Sequence, residues 1–311
     1  MSDSKKKAGS AAVNREQKDR LFRLIFGSAE HKDWLLSLYN ALNGSDYSDP
    51  DQLVINTLKN TVYLGMKNDV SFLINDTLNL YEQQSSFNPN MPLRSFMYLS
   101  NLYSGYVDQE GIDLYRSALA KVPTPYCVCF YNGLAARPEE ETLKLSDMFT
   151  KPYKGESMVE LVVKMININY GRNMKLLNAC RPLLDYSLYV KMVRENVKNG
   201  MALEKAVDQA IDAMPADSVI SSYLKNHRAE VKNVSIFEYN EAEHLRNTYE
   251  DGYDEGVNYG LKEGIKVTIE LNHEINRSRQ ETAEYIMKKF SLDSKQAEEY
   301  LKAYWPEQEE S

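Results

Sequence analysis

Two carboxylates, Asp69 and Glu82, sit in the stretch KNDVSFLINDTLNLYEQQS (67–85), where their spacing makes them neighbours. Asn75-Asp76 is a two-residue turn signal between runs rich in Val, Phe, Ile, Leu and Tyr, which predicts a tight hairpin. With Ile74 paired to Thr77, Asp69 falls opposite Glu82 and Lys67 opposite Gln84. Side chains two apart along a strand share a face, so Lys67, Asp69, Glu82 and Gln84 form one polar cluster. Ser71, Leu73, Leu78 and Leu80 continue that face as expected core. Like charges directly opposed, with Cβ atoms about 5 Å apart, destabilise a sheet unless something neutralises them. A divalent cation would do so, and an oxygen-only ligand set with room for water favours Mg²⁺ or Mn²⁺ over zinc. The other reading is that the carboxylates are the solvated face of a strand, and a longer turn would slip the register by one. Spacing leaves both readings open.

The elements that must position this cluster follow from the patterning along the chain. Residues 1–14 are small, polar and lysine-bearing, the composition of a disordered segment. From Arg15 a helical pattern runs to Gly27-Ser28, and Ser28 is a candidate N-cap for a second helix that ends at Gly44. LVINTL (53–58) reads as a strand, and the hairpin follows. After the breaker NPNMP (88–92), LRSFMYLSNLYSGYV is an amphipathic helix with Arg94 in its first turn. Strands are predicted over 125–133, 141–149 and 159–170. This order describes a mixed α/β layer, with a mixed sheet flanked by helices.

From Arg181 onward the pattern is helical throughout. The expected organisation is a first domain over 15–185, a helical extension over 186–250, and a glycine-periodic segment with a terminal helical hairpin over 251–311. Gly252, Gly256, Gly260 and Gly264 recur every fourth residue. Four interior glycines weaken a helix by roughly 4 kcal/mol in all, so a helix here implies a compensating close contact. A flexible polar linker and a self-association helix fit the segment equally. Asp254, Glu255, Lys262 and Glu263 exclude a bilayer.

Composition, at 43% hydrophobic and 26% charged residues, is that of an ordinary globular protein. There is no long apolar run and no signal peptide, so the expected location is the cytoplasm, without membrane partners. Cys127 and Cys129 share a strand face and Cys180 stands alone, which predicts reduced thiols. His31, His227, His244 and His273 form no metal or triad pattern. The net charge of −8 lies wholly in the second part: 1–185 carries 21 basic and 21 acidic residues, 186–311 carries 16 and 24. A neutral first part can bind phosphate locally, but strong non-specific affinity for nucleic acid is not expected.

The stretches GMKNDVSFLI and LNLYEQQSSFNPNMPLR, with LSLYNALNG before them and PTPYCVCFYNG, LVVKMININYG and LLNACRPLLDY after, resemble the PD-(D/E)XK nuclease family of transposases related to the recombination-promoting nucleases. The likeness runs over about 15–265. It implies a restriction-endonuclease-like core, to which the helical pattern after Arg181 adds an all-helical C-terminal extension, and a Mg²⁺-dependent DNA endonuclease, a phosphodiester hydrolase with an expected role in DNA recombination, element mobility or defence. By the resemblance, Asp69 is the strand aspartate and Glu82 the second acidic ligand. The backbone carbonyl of Gln83 aids them, and Glu30 is the acid of the first helix. Gln84 stands where the wider superfamily has lysine, a replacement common in this branch; at Gln83 the family pattern has histidine. The bound ion would polarise the scissile phosphate and activate a water. Gln84 donates a hydrogen bond but no charge, and Lys67 is the candidate to supply it. Arg94 is a candidate phosphate contact, the alternative being a surface salt bridge. A dimer suits cutting both strands of a duplex, with the C-terminal helices as its expected contact. The competing reading is an oligomerising interaction protein on a nuclease-like fold whose catalysis has lapsed.

Overall fold

The computed structural model describes residues 21–56, 69–151 and 157–305, apart from the side chains of 241–251 and 255. The N-terminal segment, the helix start at Arg15, the end of the strand expected over 53–58, Lys67, the His244 side chain and the acidic tail lie outside the described residues. The helices are α1 (Leu21–Phe26), α2 (Lys32–Asn43), α3 (Met91–Gln109), α4 (Met174–Ala179), α5 (Arg181–Lys198), α6 (Leu203–Asp212), α7 (Ser221–Asn226), α8 (Arg228–Glu274), α9 (Arg279–Phe290) and α10 (Ser294–Tyr304). The strands are β1 (Val54–Ile55), β2 (Val70–Ile74), β3 (Thr77–Gln84), β4 (Thr124–Tyr131), β5 (Glu140–Lys144) and β6 (Val162–Asn167). They form one mixed sheet in the order β1-β2-β3-β4-β6-β5, flanked by helices.

Turn chemistry fixes the hairpin. Asn75 and Asp76 adopt φ of 45° and 56°, the left-handed pair that a two-residue hairpin loop demands and that Asn and Asp tolerate. The register is the expected one, Ile74 to Thr77 through Val70 to Tyr81. Gly44 caps α2 at φ 64°. Ser28 instead caps a 3-10 turn, Ala29–His31, ahead of α2. The strand expected over 141–149 ends at Lys144, because the chain turns at Leu145–Met148, where the Glu160 carboxylate accepts the Ser146 N–H and hydroxyl.

Alternation along the strands divides the core into two layers. On one face Phe72, Tyr81 and Phe130 pack with Phe22, Phe26, Leu35 and Tyr186. On the other, Leu78, Leu80, Cys129 and Met165 lie under Met91, Tyr98, Leu99 and Leu102 of α3. Helix α5 runs through 185/186, where the sequence pattern set a domain boundary. It buries Tyr186, Tyr189 and Val193 in the first of these layers. Strands β3, β4 and β6 are mutually parallel, so their carboxyl ends, at Gln84, Tyr131 and Asn167, come together at one edge.

The chain divides into two compact units, Met1–Ala242 and Glu243–Ser311. In the second, Ile265, Ile269, Ile286, Ala297 and Leu301 form a small core. Ser278 and Asp293 begin α9 and α10 with capping boxes. The glycine-periodic segment is helical. A Cβ added at Gly252, Gly256 or Gly260 would meet no described atom within 4 Å, whereas at Gly264 it would touch the Phe290 ring at 3.7 Å. Among the described residues no helix is long and apolar enough to cross a membrane.

All three cysteines are buried and outside any disulfide. Burial pushes the Cys180 thiol up to about 11, and burial together with the Glu82 charge pushes Cys127 up to about 12. Both remain protonated thiols at neutral pH. His31 stacks on Trp34 and His227 on Tyr223, while His273 packs edge-on to Trp305.

Candidate functional site

Strand β3 is the second of the paired strands and the first of the parallel set, so its C-terminal residues stand where the antiparallel ladder has ended and the parallel one continues. The ladder with β2 stops at Val70. Beyond it, Asp69 turns its carboxylate onto β3: Oδ2 accepts the Gln83 N–H at 2.7 Å. In return the Asp69 N–H donates to Glu82 Oε1 at 3.0 Å. The two acids are thereby held side by side, each through the other strand's backbone, and both are buried, at 8% and 4% exposure. Gln84 C=O accepts the Asn132 N–H on the β4 side. Since backbone groups alternate sides along a strand, the Gln83 carbonyl faces the Asp69 side with its N–H.

The sheet face of Glu82 and Gln84 is roofed by α3. From it Arg94 reaches down, Nη2 lying 3.6 Å from Glu82 Oε2 and donating to the Tyr98 hydroxyl at 3.0 Å. Arg94 and Tyr98 are one helical turn apart, so the guanidinium is steered by its own helix. Burial raises the Tyr98 pKa, with the Glu82 charge adding to it and Arg94 opposing. Gln84 donates from Nε2 to Met91 Sδ at 2.6 Å, and its Oε1 is buried without a hydrogen-bond partner among the described residues.

Gln83 points to the opposite face. Its amide donates to Asn132 Oδ1 at 2.7 Å, and Asn132 Nδ2 donates to the Tyr186 hydroxyl at 3.0 Å. This chain ties β3 to β4 and α5 just past the carboxylates. Gly133 then permits the close approach of the two strand ends: a Cβ there would lie 2.5 Å from the Ser85 carbonyl oxygen.

The expected cluster is thus brought together at Asp69, Glu82, Gln83 and Gln84. Glu30 is exposed on the 3-10 turn before α2, in the helical layer on the other face of the sheet, where its charge acts on Tyr223. Among the described residues no third Asp, Glu, His or Cys joins Asp69 and Glu82 in a group that could hold a metal. Sequence reasoning missed Tyr98, Asn132 and Tyr186. The i,i+4 spacing of Arg94 and Tyr98 was a signal for the first; nothing in sequence joins Gln83 to Asn132.

The residues present fit a hard divalent cation. Two carboxylates, a carbonyl turned to the same side and an amide oxygen with no partner make an all-oxygen set of the kind Mg²⁺ takes, with water completing the shell. Arg94 partly neutralises the pair. Breaking a buried ion pair leaves an uncompensated charge; because the Arg94 side chain is 31% exposed, that cost is discounted for solvent screening. Arg94→Gln is expected to cost about 1–2 kcal/mol in EDTA, and millimolar Mg²⁺ should recover part of it by replacing the lost positive charge. Thermal melts of wild type and variant with Mg²⁺ and with EDTA check this. Equal melting in EDTA would show that Glu82 does not depend on Arg94.

No protein-family model, no curated protein and no solved structure matches the chain.

Proposed function

We propose that the chain is a Mg²⁺-dependent DNA endonuclease with a restriction-endonuclease-like core, of the kind its resemblance to PD-(D/E)XK nucleases implies. One observation supports this above others: Asp69 and Glu82, on the two arms of one hairpin, are buried together at the carboxyl end of the parallel strands. Crevices outside the carboxyl ends of parallel strands are where open α/β sheets bind their ligands. Burying two like charges side by side costs free energy, and a cation-dependent reaction gives that cost a use.

In this reading Asp69, Glu82 and the Gln83 carbonyl hold Mg²⁺, or Mn²⁺ in its place. The ion supplies Lewis-acid stabilisation of charge on a scissile phosphate and activation of water. Gln84 presents an amide where a charged donor would otherwise stand, and it orients a water or phosphate oxygen by hydrogen bonding. Arg94 holds Glu82 from the α3 side and contributes the positive charge that Gln84 lacks. The Gln83–Asn132–Tyr186 chain fixes the β3 backbone that carries Glu82 and the Gln83 carbonyl. Glu30 has no part in this constellation.

The test is cleavage of supercoiled plasmid by the full chain with Mg²⁺, Mn²⁺ or EDTA. Metal-dependent nicking is expected. Failure to cut single-stranded, duplex or supercoiled DNA with either metal would leave the carboxylates as a backbone latch, in a protein whose C-terminal helices serve assembly.

A further inference from the structure

A polar cavity of about 180 Å³ opens between the carboxyl ends of β4 and β6 and the inner side of α5. Asn132, Asn169, Ser187, Lys191, Arg194 and Glu195 supply its polar lining. The central group is Arg194. Its Nη1 donates to Asn169 Oδ1 at 2.9 Å, and among the described residues it forms no ion pair with a carboxylate. A guanidinium carries five N–H donors, so the described residues take up only a small part of this one's capacity. Burial lowers its pKa, yet the group stays charged. Tyr186, Tyr131 and the Glu238 carboxylate oppose that shift, and Glu238 also accepts the Leu21 N–H.

The other polar groups leave Arg194 as the donor that faces the cavity. Asn132 gives its amide to Tyr186, Asn169 to Gly133 and Asn167, and Ser187 its hydroxyl to Leu183. Lys191 stands at the rim, 3.7 Å from Glu195 and 4.7 Å from the Tyr170 ring centre. Lys191 is paired with Glu195, so of the charged lining residues Arg194 is the cation without an ion-pair partner among the described residues.

We propose that this cavity binds a phosphate group, and that the group belongs to the nucleic-acid strand engaged by the carboxylate pair. A planar guanidinium with free N–H groups matches phosphate geometry. The volume lies below the roughly 300–1,000 Å³ of pockets that take whole drug-sized ligands, so it suits a group on a larger molecule. Its position fits a strand crossing the same edge of the sheet. β6 is two strands from β3, on the order of 10 Å at about 4.8 Å per strand, and Asn132 lies both in the cavity wall and in hydrogen bond with Gln83. A strand laid over the carboxyl ends of β3, β4 and β6 presents one phosphate to Asp69 and Glu82 and a later one to Arg194. The inference rests on the nucleic-acid reading above for the source of the phosphate, but not for the anion chemistry.

The full chain, Arg194→Gln and Arg194→Lys are compared in two measurements in EDTA, where cleavage plays no part. The first is the melting temperature against inorganic phosphate, with chloride at equal ionic strength as control. The second is anisotropy of fluorescein-labelled single-stranded and duplex DNA over a salt series. Phosphate is expected to raise the wild-type melting temperature and not that of Arg194→Gln. DNA affinity of Arg194→Gln should fall about tenfold, with the slope of log K against log salt shallower by about one. Arg194→Lys, which keeps the charge, should retain part of both effects; this separates anion binding from a loss of fold. If the phosphate effect disappears in Arg194→Gln while DNA binding is unchanged, the cavity serves free phosphate or a mononucleotide, and the strand assignment is overturned. If Arg194→Gln matches wild type in both, the whole proposal falls. A chain that nicks plasmid yet shows no Arg194 effect loses this inference alone. One that never nicks but loses phosphate stabilisation in Arg194→Gln loses the nuclease reading alone.

Discussion

Replacing either acid by its amide, Asp69→Asn or Glu82→Gln, is expected to lower Mg²⁺-dependent DNA cleavage by on the order of a thousandfold and to leave the fold intact. The magnitude follows from the several kcal/mol of charge stabilisation a bound metal provides, at about 1.4 kcal/mol per tenfold in rate. The fold survives because each amide keeps an acceptor oxygen. In Asp69→Asn the side-chain carbonyl can still accept the Gln83 N–H, and in Glu82→Gln it can still accept the backbone N–H of Asp69. Removing one of two adjacent like charges also relieves repulsion, so melting temperatures in EDTA should be equal to wild type or higher. Initial rates of plasmid nicking, read beside those melts, check both halves. Either variant cutting at a rate near wild type would remove that acid from the metal site.

The largest effect on stability is expected at Phe130. It lies on β4 at the middle of the sheet, fully buried, with its ring 5.1 Å from Phe22 and edge-on to Tyr81 at 5.5 Å. Through these contacts the helical layer of α1 and α5 is keyed to the strand next to the carboxylates. Phe130→Ala removes a large apolar surface and leaves a cavity its neighbours fill only in part, which costs about 3–5 kcal/mol. Phe130→Leu, closer in volume, should cost less than about 1.5 kcal/mol. Urea denaturation followed by circular dichroism reads the difference as a shift of midpoint at constant slope. An alanine variant within about 1 kcal/mol of wild type would mean that the first core layer is not packed as described, since losses of aromatic core side chains are among the largest single-residue effects.

How much of this was legible in the sequence differs from element to element, for physical reasons. The hairpin was readable because its information is local. Asn75 and Asp76 adopt the positive φ values their residue types suggested, and the register then follows without reference to the rest of the fold. Gly44 and the capping residues Ser278 and Asp293 are local signals of the same kind. The end of β5 was not readable, because it is set by a carboxylate, Glu160, that lies on a different segment and draws the chain into a turn. The glycine-periodic stretch had two readings because spacing reports neither helix nor linker when four residues of low propensity recur; the structure makes it helix, with a close neighbour only at Gly264 among the described residues. In the site, pairing arithmetic finds Asp69 and Glu82. It does not find their mutual backbone hydrogen bonds, since these depend on the ladder stopping at Val70. The sequence marks Arg94 as a phosphate contact or a salt bridge; its distance from Glu82 reflects how α3 crosses the sheet, which helical periodicity does not encode.

The most direct measurement of the central claim is Mn²⁺ binding, followed by the electron paramagnetic resonance signal of free Mn²⁺ during titration of the full chain and of the Asp69→Asn/Glu82→Gln double variant. The account predicts that the wild type takes up the ion, that Mg²⁺ competes for the same site, and that the double variant loses this uptake while melting at an unchanged or higher temperature. Equal uptake by both proteins, or none by either, would contradict it.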